Sequence, residues 1–125
     1  MNALDVVNKY LSIILLENNA GEGIMDVVTS DFTFDDPFTK ASNAEEFLEK
    51  TQLWIKTKKT YTLETEFVKG NHVCKVYTLH VVIPTGETKD FALADIFEIR
   101  DGKIAKEKVY FFEPNKFAQA FGIPS

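Results

Sequence analysis

The sequence predicts an α+β fold: three helices and a short strand, then four long, mainly antiparallel strands. Three observations carry this expectation. Apolar side chains recur with helical spacing up to about Lys56 and with a period of two from Tyr61 onward. Short turn signals separate the last four strands, Asp101-Gly102 the sharpest of them, so their connections are too short for parallel crossovers. The 125 residues suit one domain, and 45% hydrophobic residues suit a folded chain. Helices gathered on one side of a long curved sheet leave a concavity, where pockets commonly form.

The elements follow in order. Leu4, Val7, Tyr10, Leu11, Ile14 and Leu15 make a wide apolar stripe, with Asp5, Asn8, Lys9 and Ser12 opposite, so residues 3–16 read as a helix. Asn19-Ala20-Gly21 ends it. Ile24 to Val28 reads as a short second helix, and Phe32 to Asp35 as a short strand stopped by Pro37. A third helix runs from Ala44 to Lys56, opened by a cap at Ser42-Asn43 with glutamates behind it. Lys56, Lys58 and Lys59 suit its negative end. Tyr61 to Phe67, Val73 to Ile83, Lys89 to Arg100 and Ile104 to Phe112 are the strands, and Phe117 to Phe121 a last helical turn.

Composition narrows the function. The net charge is −5 and the longest basic run is Lys56-Thr57-Lys58-Lys59 at a helix end, so nucleic acid is not an expected partner. One cysteine allows no internal disulfide, and two histidines with one cysteine make a zinc site of the usual spacing improbable. Calcium-loop patterns are absent too, so no metal and no cofactor are expected. Met1 leads into an amphipathic segment rather than a signal peptide, and no apolar run could span a bilayer. The expectation is a cytoplasmic protein with no membrane partner.

The candidate working groups are acids in apolar surroundings. Phe91, Leu93, Asp95, Phe97 and Ile99 share one strand face, on which Asp95 is the polar exception. A carboxyl stripped of water must be paired, hydrogen-bonded or neutral. Asp95 is therefore either a strand-tying group or a proton donor in a pocket. Asp36, in Phe34-Asp35-Asp36-Pro37-Phe38, is either a turn cap or a pocket acid. On the second long strand, Cys74, Val76, Thr78, His80 and Val82 share a face expected to wall the pocket. His80 could then act as acid or base with Asp95 as its partner, or be a satisfied core histidine. Glu107 falls on the inward parity of Val109 and Phe111 but is not counted among the candidate acids. The eleven phenylalanines fit a large core or an aromatic-lined pocket equally well.

Several stretches together resemble a known family. Asn19-Ala20-Gly21, Asp31-Phe32-Thr33-Phe34-Asp35-Asp36-Pro37, and the run from Ala94-Asp95-Ile96-Phe97 to Asp101-Gly102-Lys103-Ile104 look like the NTF2-like superfamily, closest to its SnoaL-like (polyketide cyclase) and ketosteroid-isomerase-like branch. The resemblance implies an NTF2-like cone whose strongly curved sheet encloses a pocket for a hydrophobic, often cyclic ligand. It matches Asp36 to the general-base aspartate of the isomerases and Asp95 to their protonated aspartate, which donates a hydrogen bond to the substrate oxygen. The isomerases' helix tyrosine falls on Ile14 here, with Tyr10 one turn earlier on the same face. The expected catalytic residues are Asp36, Asp95 and His80. The expected pocket residues are Tyr10, Ile14, Phe34, Trp54, Thr78, Val82, Phe97, Val109 and Phe111.

Three functions compete. One is a cofactor-independent isomerase, cyclase or dehydratase acting on a small apolar carbonyl compound. The second is a non-catalytic binding protein for such a small hydrophobic molecule. The third is a dimeric interaction domain with a vestigial pocket. A homodimer through the sheet's outer face is expected in any case, because Val73, Tyr77, Leu79, Val81 and Ile83 form a second apolar stripe, with Tyr110 and Phe112 beside it.

Overall fold

A computed structural model describes residues 2–17 and 19–124. Helix α1 (Ala3–Leu11) opens on a reciprocal cap, in which the Asn2 side chain accepts from the Asp5 amide while Asp5 accepts from the Asn2 amide. The expected helix over residues 3–16 does not stay α-helical. Ser12–Leu16 widens into a π-helical turn, closed by the Glu17 amide on Ser12 O at 2.9 Å. The widening brings Ile13, Ile14 and Leu15 into the core together. Of the expected second helix only a 3-10 turn forms, Ile24–Asp26.

Strand β1 (Val28–Asp35) is longer than expected and is followed by a two-residue strand, β2 (Lys40–Ala41), too short to announce itself in the sequence. The third predicted helix breaks at Thr51 into α2 (Ala44–Lys50) and α3 (Gln52–Lys56). Thr51 has φ −111° and ψ 12°, and its hydroxyl donates back to Phe47 O at 2.6 Å. Four long strands follow, β3 (Lys59–Lys69), β4 (His72–Val82), β5 (Thr88–Arg100) and β6 (Lys103–Phe111), then helix α4 (Pro114–Phe121). No helix among the described residues is long and apolar enough to cross a membrane.

The sheet order is β2-β1-β6-β5-β4-β3, antiparallel throughout except for the parallel pair β1–β6. The hairpin at Asp101-Gly102 forms as predicted, with Arg100 opposite Lys103 and both turn residues at positive φ, 53° and 77°. The register shifts between Val28 and Thr33 in the parallel β1–β6 pair, and two bulges interrupt the antiparallel pairs and curve the sheet. Between Leu63 and Thr65, Glu64 is the extra residue on β3; opposite Glu98 and Ile99, Ala105 is the extra residue on β6. Each bulge reverses which side chains point inward beyond it.

The faces of β4 are opposite to expectation. Val73, Lys75, Tyr77, Leu79 and Val81 are buried, while Cys74, Val76, Thr78, His80 and Val82 lie on the outer face, half-buried. The cause is the register with β5, where Tyr77 pairs with Leu93 and Leu79 with Phe91. The inward face of β5 therefore meets the odd-numbered residues of β4. The stripe Val73, Tyr77, Leu79, Val81 and Ile83, expected to face a partner subunit, is core. The middle of that core is aromatic, with Tyr10 packed on Phe32, Phe47 and Phe97 at centroid separations of 6.1, 6.3 and 5.7 Å.

Candidate functional site

Helices and sheet leave an open cavity of about 240 Å³ between them. Its walls are largely aromatic, with Phe34, Phe38, Phe47, Trp54, Phe111 and Phe117 among them, and aliphatic at Leu11, Ile14, Leu15, Leu79, Leu93 and Val109. Lys50 and the 86% exposed Leu53 mark the side open to solvent. Trp54 is held from behind. The ammonium of Lys59, buried at the start of β3, donates to Trp54 O at 2.6 Å and Thr57 O at 3.0 Å and lies 4.7 Å from the indole centre. It caps the last carbonyls of α3, and burial pulls its pKa down to about 8.

Polar groups gather on the inner surface of the sheet. Asp95 on β5 is 0% exposed, and Tyr77 Oη on β4 donates to its Oδ2 at 2.7 Å. Tyr10 Oη on α1 donates to Glu107 Oε1 on β6. The Asp95 and Glu107 carboxyls are neighbours on the same inner surface, and the charge of Asp95 raises Glu107. Two like charges so close and so short of water favour a proton on one of them. Loss of water pushes Asp95 up to about 6 and Glu107 well above the carboxylate range, each also raised by a neighbouring carboxylate. At neutral pH the pair holds one proton and one negative charge between its members. Burial likewise holds Tyr10 and Tyr77 well above the usual phenol range, so both remain hydroxyl donors. Asp95 Oδ1, fully buried, receives no hydrogen bond from any other described group.

Asp36 lines the same cavity from the turn after β1. Its Oδ1 accepts the amides of Phe38 at 2.7 Å and Thr39 at 2.6 Å, the turn-capping arrangement open to an aspartate before proline. Its Oδ2 accepts no hydrogen bond among the described residues. Burial raises its pKa, and the two amides offset part of that rise.

Of the residues singled out in the sequence, the cavity brings together Asp36, Asp95, Tyr10, Ile14, Phe34, Trp54, Val109 and Phe111. It does not include His80, Thr78, Val82 or Phe97. His80 is on the outer face, where its Nε2 lies 2.7 Å from Thr62 Oγ1 and its Nδ1 2.7 Å from Asp90 Oδ1. Its acidic neighbour on β5 is thus Asp90 and not Asp95, because alternate residues of one strand point to opposite faces. Thr78 and Val82 share that outer face by the same register. Phe97 points inward but is closed off, 0% exposed beneath Tyr10 and paired by register with Glu107.

Sequence reasoning passed over two members of the polar cluster. Tyr77 was placed on the outer face through the reversed reading of β4. Glu107 carried its own signal, a lone acid on the parity of Val109 and Phe111. Among the described residues no group of three or more metal-ligating side chains comes together.

Comparison with known proteins agrees with this architecture. An NTF2-like protein of unknown function from Burkholderia pseudomallei has a TM-score of 0.83 at 10% identity, over 97% of this chain and 98% of that one. TerC, solved with polyporic acid, has a TM-score of 0.78 at 15% identity, over 94% of this chain and 96% of its own. An LEH-like epoxide hydrolase from M. tuberculosis has a TM-score of 0.72 at 16% identity, over 94% and 88% of the two chains. At such identities the likeness is one of fold. No curated protein matches the sequence. The family model of the SnoaL-like domain matches residues 7–107, most of the chain, and the protein belongs to that family within the NTF2-like superfamily.

Proposed function

We propose that the cavity binds a small, neutral, apolar compound carrying a carbonyl oxygen and moves a proton on it without a cofactor. One observation carries the reading: a buried carboxyl pair that retains a proton at an aromatic-walled cavity. A hydrogen bond from that pair stabilises an oxygen on which negative charge develops, and exclusion of water strengthens it. Asp36, with Oδ2 unengaged and its basicity raised by burial, takes the proton from the carbon beside the carbonyl and returns it to another position. That pair of steps is an isomerisation; the same enolate would cyclise by attacking a second carbonyl, whose alkoxide then takes up the proton, or dehydrate by expelling a β-hydroxyl that leaves with the proton as water. The NTF2-like proteins solved with polyporic acid or active as an epoxide hydrolase lend support, since the same fold there serves oxygen-bearing organic molecules.

Trp54 is the single tryptophan and lines the cavity, so its fluorescence reports occupancy. Neutral one- and two-ring ketones, 1-tetralone among them, should quench it saturably. In deuterated water the protein should exchange the protons beside the ketone carbonyl, and Asp36→Asn should slow that exchange by about 10²–10⁴-fold. Absence of saturable quenching across the ketones would reject the binding site. Quenching without exchange would leave a carrier. That second reading is favoured by one feature, that Asp36 Oδ1 and both carboxyls of the pair already have protein partners.

A homodimer through the outer face of the sheet belongs to the same proposal. Phe67, Cys74 and Ile96 align in one cross-strand row, and Val76, Ala94 and Tyr110 in the next. Phe67, Ile96 and Tyr110 are exposed, a contiguous apolar patch that a twofold partner would cover. Light scattering at micromolar concentration should give twice the chain mass, and a monomer mass would reject the dimer.

A further inference from the structure

A lysine is buried beside the acid pair without touching the cavity. Across the inner face, one row runs Glu66, Lys75, Asp95 and Val109 on β3, β4, β5 and β6. Lys75 is 2% exposed. Its Nζ donates to Asn8 Oδ1 on α1 and lies 3.2 Å from Glu66 Oε2, a charge contact rather than an aligned hydrogen bond. The two bulges make this arrangement. Glu64, the extra residue on β3, turns Glu66 inward beside Lys75, and Ala105, the extra residue on β6, turns Glu107 inward, diagonal to Asp95. Directly opposed inward residues on neighbouring strands have Cβ atoms about 5 Å apart, so Lys75 and Val109 are the directly opposed neighbours of Asp95, and Lys75 is the charged one. An ammonium is costly to bury, and packing alone would favour an apolar residue here.

We propose that Lys75 is a positioning residue for the acid pair: its buried ammonium, opposite Asp95, holds one negative charge on Asp95 and Glu107 together, so that an ionised carboxylate and a proton coexist at the cavity. The inference rests on reading that pair as the working acid. The groups acting on the pair are Tyr10 from α1, Asp36 from the turn after β1, and Tyr77 and Lys75 from β4, while Asn8 of α1 and Glu66 of β3 contact the Lys75 ammonium. The tyrosines are neutral and Asp36 and Glu66 add negative charge, which opposes ionisation. Lys75 is the cation that favours it; Lys50 stands at the exposed rim. Without Lys75 the pair would keep both protons to higher pH and lose its internal carboxylate.

The test is a titration of side-chain carboxyl carbons by NMR in the full, ligand-free protein. Lys75→Met should raise the midpoint of the pair's first ionisation by about one pH unit or more, a tenfold gain in proton affinity. Glu66→Gln, a partly exposed site where folding is less at risk, should lower it, because Lys75 then acts on the pair alone. A lysine with a purely structural role would lower the melting temperature in Lys75→Met and leave the midpoint of that variant unchanged. If Lys75→Met fails to fold, Glu66→Gln decides, and an unchanged or raised midpoint there overturns the proposal. No ligand enters the measurement. A failed titration therefore leaves the Trp54 binding result intact, and absence of ketone binding leaves the titration intact.

Discussion

Asp95→Leu should lower the unfolding free energy by about 1–3 kcal/mol, while Asp95→Asn should stay within about 1 kcal/mol of the wild type. Leucine suits the apolar surroundings, but it leaves Tyr77 Oη without an acceptor. A stranded buried group costs about 1–3 kcal/mol, and the apolar gain of the leucine returns only part of it. An asparagine still accepts from Tyr77 and can donate from its amide. Urea denaturation of both variants, read by circular dichroism, measures the difference. Equal stability of Asp95→Leu and wild type would mean that Tyr77 is not held by this residue. The two roles weighed for Asp95 in the sequence are joined here, since it ties β4 and β5 together and also lines the cavity.

The second large effect is a fall in stability as pH rises through the acid range. Asp95 shifts from about 3.8 in an unfolded chain to about 6 in the fold. Between those values the folded state binds more protons than the unfolded one, so stability drops with increasing pH. The contribution is fully present below about pH 4 and is lost by about pH 7. For Asp95 alone it amounts to about 3 kcal/mol, and Glu107, raised in the same direction, extends the loss to higher pH. Asp31, Asp35 and Glu46 are shifted downward and act oppositely, but Asp31 is exposed and Asp35 and Glu46 are partly so, all within reach of solvent screening, so their effect is small. The double variant Asp95→Asn with Glu107→Gln should flatten the profile between pH 4 and 7. A wild-type profile that rises through this range would show that the pair is not buried with its proton.

The element types were legible in the sequence because each long segment keeps one period. What the period could not supply was the register. On β4 both parities are largely apolar, so alternation alone does not say which of them faces inward and which was free to face a partner subunit. The assignment of β5 contained the remedy. Val82 pairs with Thr88 across the turn at Pro84-Thr85-Gly86-Glu87, so odd residues of β4 face odd residues of β5. Once Leu93 and Asp95 point inward, Tyr77 and Lys75 must follow and His80 must leave the cavity. The bulges were illegible for a different reason. Glu64 and Ala105 are extra residues that no local turn chemistry marks, yet they decide that Glu66 and Glu107 face inward. The break at Thr51 and the π-helical turn at Ser12–Leu16 arise from tertiary packing, which helical spacing alone does not record. Asp95 could be found from one strand because its inward neighbours Leu93 and Phe97 are apolar. Its partners lie on β4 and β6, so finding them needs the register of both neighbouring strands as well.

The single parallel pairing in the sheet sets when the site can exist during synthesis. The hairpins from β3 to β6 close over short stretches of chain, but β1 joins β6 only across a long one: Asp35 meets Lys108, 73 residues further on. Tyr10 and Asp36 are translated before Glu107 and Phe117. At about 5–20 residues per second, a ribosome holds the apolar faces of α1 and β1 without their sheet partner for several seconds. A nascent chain therefore passes through a stage with greasy, unclosed edges and no carboxyl pair. Chaperone dependence and inclusion-body formation should arise in that interval rather than in the mature protein.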